Sequence, residues 1–192
     1  ITHDKKKRQI LYKDTVLKMF DVPVFYFPKF FHPDPTVIRQ SGFLKPELNE
    51  SKTLGTSFYL PYFHVISDNK DLTLKPTIFD SKIIMLQNEY RQENENSSFI
   101  ADIGLTNGYQ SSIEGSNRNN MTHLFAKYTS DLKLENFSKS DLEISLEKTS
   151  NDTYLRLFDA NIPNTEIKPK SKSTLKSEIK LNLDHENYNI SG

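Results

Sequence analysis

The chain has 192 residues with 25 basic and 25 acidic side chains, so it is formally neutral, and it holds no cysteine and no tryptophan. Neutrality removes the bulk electrostatic pull toward nucleic acid, and the missing cysteines exclude disulfides, thiolate metal sites and a cysteine nucleophile. No apolar run approaches the roughly 18 residues of a transmembrane helix, while 13 Phe and 9 Tyr are too many aromatics for a disordered chain.

The chain opens on Ile1 without a basic-then-apolar leader, and Tyr188 to Gly192 reads as a strand cut short. The expectation is an excerpt from a longer protein. The basic run Lys5 to Arg8 reads as a solvated strand edge or turn. Next, Asp21 to Pro35 is dense in aromatics and carries four prolines. Proline fixes φ and lacks an N–H, which excludes a regular helix or a central strand. A short buried strand over Val22–Phe27 is expected, followed by an irregular linker and a boundary between residues 40 and 50.

From there the period is two. Thr56, Phe58 and Leu60 share a face with Leu54; Leu72, Leu74 and Ile78 share another. Phe99, Ala101, Ile103 and Leu105 alternate with Ile100, Asp102 and Gly104. Leu142, Ile144 and Leu146 alternate with Glu143, Ser145 and Glu147, and Leu175, Ile179, Leu181 and Leu183 extend the habit. Polar clusters at 67–70, 93–98, 115–120 and 150–152 separate these runs. Such Asn, Asp, Ser and Gly groups favour tight reversals. The pattern predicts an all-β antiparallel meander with almost no helix.

Period two leaves two architectures open. A soluble β-sandwich wets one face of each sheet, whereas a transmembrane barrel turns one face to lipid and the other to a polar lumen. On periodicity alone the soluble sandwich, as the commoner class, comes first. It implies a glycan- or protein-binding module.

Chemistry-bearing motifs are absent. There is no nucleophile elbow, no phosphate-cradling glycine loop and no His-Glu-x-x-His. The five histidines are far apart, without ligand-like spacing. No enzyme, cofactor, metal site or nucleic-acid partner is expected.

A specific series runs through the first half of the chain. It begins with Val22-Pro-Val-Phe-Tyr-Phe-Pro28 and Arg39-Gln-Ser-Gly-Phe-Leu-Lys-Pro46. It continues with Gly55, Leu60-Pro-Tyr-Phe63, Asn69-Lys-Asp-Leu-Thr-Leu-Lys-Pro76 and Asn88-Glu-Tyr-Arg91. Each motif alone is weak, but five in register resemble the LptD/OstA family of lipopolysaccharide-assembly outer-membrane proteins. A softer echo follows at Ser150 to Arg156.

The resemblance implies the end of a periplasmic β-jelly-roll (residues 1–45) followed by the first strands of a large outer-membrane β-barrel (46–192). It implies lipopolysaccharide delivery to the outer leaflet through a lateral gate. The implied partners are lipopolysaccharide itself, a plug lipoprotein, a periplasmic bridge protein and outer-membrane lipid. The resemblance places Pro61 and Pro76 at the gate, inside the first two barrel strands, where each removes one ladder N–H. It places Val24, Tyr26 and Phe27 along an acyl-chain groove, though core packing also suits each of them. Arg39 and Gly42 fall in the linker, Gly42 at a bend and Arg39 in a structural role, though contact with a lipid phosphate or a backbone carbonyl also suits Arg39. Glu89 and Arg91 would face the lumen and Tyr90 lipid or the interface. A porin-like barrel without a transport role is the blander reading of the same strands.

Overall fold

The computed structural model describes residues 2–6, 9–19, 21–33, 39–109 and 120–192, without the side chains of Leu17, Met19, Val24, Phe25, Phe30, His32 and Pro33. The expected turn at 115–120 except Asn120, linker residues 34–38 and residues 7 and 8 of the basic run lie outside the described residues.

Among the described residues the chain is all-β and antiparallel apart from one short helix. A three-stranded sheet comes first, built from β1 (Thr2–Asp4), β2 (Gln9–Met19) and β3 (Val22–Pro33) in that order. The expected short buried strand is instead a long one at the sheet edge. Val22 and Tyr26 are exposed. The edge position explains how Pro23, Pro28 and Pro33 fit, because an edge strand needs donors on one side only.

An eleven-stranded sheet takes up the rest. Its strands are β4 (Gly42–Phe43), β5 (Glu47–Ser51), β6 (Gly55–Tyr59), β7 (Tyr62–Ser67), β8 (Lys70–Phe79), β9 (Ile84–Glu93) and β10 (Ser97–Asn107). They continue as β11 (Asn120–Asp131), β12 (Lys139–Thr149), β13 (Glu178–His185) and β14 (Tyr188–Ser191). From β8 to β14 each strand pairs with the next, as a meander should. The reversals are compact where turn chemistry predicts them. At Glu93–Ser97, for example, the Asn94 amide donates to the Ser97 carbonyl at 2.8 Å.

The faces of this sheet are inverted relative to a soluble sandwich. One face carries Ile78, Ile84, Ile103 and Ile179 at 56%, 56%, 45% and 68% exposure. The other carries Lys75, Gln87, Asp102 and His123, all buried. Register makes both faces continuous: Lys75 stands opposite Gln87, Gln87 opposite Gly104, and Gly104 opposite His123. A soluble sheet buries its apolar face, since burial stabilises by about 25 cal/mol per Å². An apolar face turned outward and a polar face turned inward is the pattern of a membrane barrel wall.

Aromatics gather near one end of the outward face. Phe99 pairs with Tyr128 across β10 and β11, and its ring centroid lies 6.1 Å from that of Tyr90. Phe43 and Tyr62 extend the row with ring centroids 5.1 Å apart. Short reversals close that end, at 68–69 and 94–96. The longer connections, 108–119 and 150–177, leave from the other end.

The 150–177 connection is not the simple turn that Ser150-Asn-Asp152 predicts. Asn151 Oδ1 accepts from the Thr153 amide at 2.8 Å and starts helix α1 (Tyr154–Phe158), which runs into a 3-10 turn at Asp159–Asn161. Tyr154, Leu155, Phe158, Ile162 and Ile167 lie on the inward face against Leu54, Phe79, Met85, Met121 and Phe125. Among the described residues this is the apolar core, and it covers one end of a polar surface. Leu54 and Leu175 join it rather than extending strands. The five-residue helix is too short to be legible by period, and it persists because tertiary packing buries it.

Candidate functional site

β6 and β7 are one strand with a break. Both pair with β8 in a single register: Tyr59 faces Thr77 before the break, and Tyr62 faces Leu74 after it. The two residues between are Leu60 and Pro61. Continuing the register puts Leu60 opposite Pro76 and Pro61 opposite Lys75. The Leu60 amide donates to the Pro76 carbonyl at 3.3 Å. In an antiparallel hydrogen-bonded pair the partner returns a second bond. Proline has no N–H, so Pro76 returns nothing.

Pro61 does the same on the other side. Its carbonyl accepts from the Leu44 amide at 2.9 Å, and its ring nitrogen offers no return bond. The next strand is itself irregular. Gly42 and Phe43 pair with Phe63 and Tyr62, but Glu47 resumes opposite Tyr59. One extra residue is accommodated at Lys45-Pro46, a β-bulge in effect. Pro46, Pro61 and Pro76 therefore lie in a line across three adjacent strands. Each missing ladder bond removes about 0.5–1.5 kcal/mol of net pairing. Because the strand over 42–51 pairs ahead of them, Pro61 and Pro76 stand in the second and third strands of the sheet. The expected placement in its first two strands is corrected by that preceding pairing.

The outward side of this seam is apolar. A cavity of about 140 Å³ lies between the two sheets. Phe43, Pro46, Phe58 and Leu60 line it from the large sheet, and Thr15, Val16 and Phe27 from the small one. Of the two expected groove residues whose side chains are described, Phe27 reaches it. Tyr26 precedes Phe27 in the strand and so points to the opposite face. Its hydroxyl donates to Asp14 at 2.6 Å, and that bond holds the phenol above its ordinary pKa. The Val24 side chain lies outside the described residues. Phe43, Phe58 and Leu60 escaped the sequence reading as lining residues, although alternation already put Phe58 and Leu60 on one face.

The linker residues are tied to the inward face. Arg39 donates to the Asp71 carboxylate and to the Asp68 carbonyl. Arg91 Nε reaches the other Asp71 oxygen at 2.9 Å. Gly42 is buried in β4 opposite Phe63. The left-handed glycines among the described residues are Gly55 and Gly108, so no left-handed bend is made at Gly42. Glu89 and Arg91 share the inward face, as alternation predicts, and Tyr90 faces outward.

A buried chain of charge runs deeper along the same face. Lys75 Nζ lies 2.5 Å from Glu89 and 3.4 Å from Asp102. His123 Nε2 lies 3.2 Å from Asp102, and His123 Nδ1 lies 2.7 Å from the Tyr154 hydroxyl. Burial pushes the Tyr154 phenol far above its usual range, so it keeps its proton. The phenol then donates to Nδ1, which leaves Nε2 to donate to Asp102. Asp and Lys at such depth persist only because each is paired. The sequence separations in this chain are long, and only the strand registers bring the groups together. Among the described residues no group of three or more His, Asp or Glu is arranged to hold a metal ion.

No family model matches the chain. Individual relatives do. Over 84 residues the chain is 37% identical to the LPS-assembly protein LptD of Ectopseudomonas mendocina, a stretch covering 44% of this chain and 9% of that protein. Over 76 residues it is 43% identical to LptD of Cupriavidus pinatubonensis, covering 40% and 9%. The chain resembles LPS-assembly protein LptD. A longer match, 28% identical over 148 residues to LptD of Pseudoalteromonas translucida, covers 77% of this chain and 19% of that protein. The matched stretches thus span from 9% to 19% of these LptD proteins.

Proposed function

We propose that this chain is the junction between a periplasmic lipid-receiving domain (1–45) and the opening strands (46–192) of an outer-membrane barrel that exports lipopolysaccharide. Its seam at Pro46, Pro61 and Pro76 is the lateral gate. The observation that carries this reading is the weakened pairing itself, flanked outside by an apolar cavity shared with Phe27 and inside by a polar wall. A seam that must open needs fewer ladder bonds than the wall around it, and an alkyl chain leaving the small sheet meets apolar surface there. The end with short reversals and the aromatic row faces the periplasm, because barrels keep their turns short on that side. The large sheet has open edges at β5 and β14, so further strands close it. The partners of this assembly are lipopolysaccharide, a periplasmic bridge protein upstream, a plug lipoprotein inside the barrel and outer-membrane lipid around it.

The test is replacement of both prolines, Pro61→Ser and Pro76→Ser, in the full-length protein. Lipopolysaccharide delivery to the cell surface should slow, and crosslinks across the seam should form more readily. Unchanged delivery together with unchanged crosslinking would sink the gate.

A further inference from the structure

The stretch 39–44 leads into the large sheet, and its own strand, β4, is only 2 residues long. The Leu44 amide adds one bond, to the Pro61 carbonyl. Side chains reinforce this short pairing. Ser41 Oγ accepts from the Val65 amide at 2.8 Å. Val65 in turn stands opposite Asp71 in the register of β7 and β8. Arg39 donates to the Asp71 carboxylate and to the Asp68 carbonyl, so it reaches past β7 to β8. Arg91 Nε holds the second Asp71 oxygen at 2.9 Å. The Arg91 guanidinium carbon lies 6.0 Å from the ring centroid of Phe63, the register partner of Gly42. The Asp71 side chain is 7% exposed and that of Arg39 29%. Arg39 therefore meets a nearly buried carboxylate that Arg91 already orients.

We propose that Arg39 is a positioning residue for the seam: its ion pair with Asp71 is a latch that pins one end of the seam while the other end parts. The span of the pair is the reason. Pro61 weakens the interface between the strand over 42–51 and its neighbour over 55–67, and Pro76 weakens the next interface, toward β8. The Arg39–Asp71 pair crosses both, from the lead-in of the one strand to β8. It does so on the short-reversal side of the prolines. On their other side, Glu47 to Ser51 pair with β6 along an ordinary register. Separation there leaves the latch closed, so the seam opens as a wedge hinged at Arg39. The same pin sets Phe43 and Leu44, which line the apolar cavity opposite Phe27. A charge-assisted bond outlasts the main-chain bonds around it. The planar fork of arginine serves a carboxylate and a carbonyl at once, which an ammonium does less well. The inference rests on the transport reading above for the purpose of the opening, but the latch itself is measurable without lipopolysaccharide.

The test places Arg39→Gln and Arg39→Lys in the full-length protein, each alone, with Asp71→Asn, and in the Pro61→Ser, Pro76→Ser background. Hydrogen exchange of the Leu44 and Val65 amides is read in lipid nanodiscs, and lipopolysaccharide delivery in cells. Arg39→Gln should quicken exchange of both amides about tenfold, the loss expected for one charge-assisted bond. Exchange in β9 and β10 should stay as in the parent, and delivery should slow. Arg39→Lys should restore part of both. In the Asp71→Asn chain, Arg39→Gln should add little, because the shared bond is already gone. In the proline-replaced background the Arg39→Gln effect on exchange should shrink, because complete ladders then hold both interfaces. A purely local role for Arg39 gives an effect of equal size in both backgrounds. That outcome, or unchanged exchange in Arg39→Gln, overturns the latch. Faster exchange with unchanged delivery overturns the positioning role. The transport reading is judged by the proline variants alone. If those leave delivery and crosslinking unchanged while Arg39→Gln still quickens exchange, the gate falls and the latch stands.

Discussion

Gly104 and His123 face each other across β10 and β11, and the imidazole fills the space that a side chain at Gly104 would take. A Cβ built at Gly104 would lie 2.2 Å from His123 Cε1 and 3.0 Å from the Tyr154 hydroxyl. Three elements meet at this point: two barrel-wall strands and the helix that covers them. The glycine is required here by close approach, not by backbone conformation.

Gly104→Ala should therefore push the His123 ring off its bond to Tyr154 and loosen α1 from the wall. Overpacking of this kind costs about 1–3 kcal/mol. Hydrogen exchange over 150–177 should quicken while exchange in β8 and β9 stays unchanged. If the connection remains as protected as in the parent, the His123–Tyr154 contact does not anchor it.

The seam predicts a gain of order from a conservative change. Pro76→Ser supplies an amide opposite the Leu60 carbonyl and completes the hydrogen-bonded pair. Net pairing should strengthen by about 0.5–1.5 kcal/mol. Exchange of the Leu60 amide should slow several-fold. Equal exchange rates in parent and variant would show that the missing N–H does not govern opening.

The inverted faces separate a barrel wall from a soluble sandwich by one substitution. Ile103 is mid-strand on the outward face and largely exposed. In a bilayer, Ile103→Lys should cost about 2–4 kcal/mol near the midplane. On a solvated surface the same change falls within about 0.5 kcal/mol. Unfolding titrations of the full-length protein in lipid vesicles decide between these values.

Acid should release the 150–177 connection through Asp159. Burial pushes this carboxyl up, but hydrogen bonds from Lys172 and Lys168, at 2.7 and 3.1 Å, together with their charge, outweigh it, and the net pKa is lowered. A lowered folded pKa means stability that is fully present above the ordinary carboxylate value of about 3.9 and is lost as pH falls through the folded value. Protection of 154–170 against hydrogen exchange, corrected for intrinsic rates, should be flat from pH 7 to 5 and fall below about pH 4. Asp159→Asn should abolish that fall. A parent protein equally protected at pH 3 and pH 7 would exclude the mechanism.

Much of the wall was legible before any coordinates. Leu72, Leu74 and Ile78, or Phe99, Ile103 and Leu105, alternate so cleanly that strand and face follow from period two alone. Alternation is a local property, set by successive side chains pointing to opposite sides, so sequence suffices to read it. The motif series was enough to point to the family and to single out Pro61 and Pro76. Sequence did not determine which face is buried, because period two is the same whether water or lipid lies outside; that took the burial of Asp102 and His123 against the exposure of Ile103 and Ile179. Nor did it show that Pro46, Pro61 and Pro76 line up, or that Lys75, Glu89, Asp102, His123 and Tyr154 form one chain of contacts. Those relations depend on register between strands and on a helix too short to announce itself. Register is a long-range choice, made when the sheet pairs and its connections pack, and only the tertiary structure decides it.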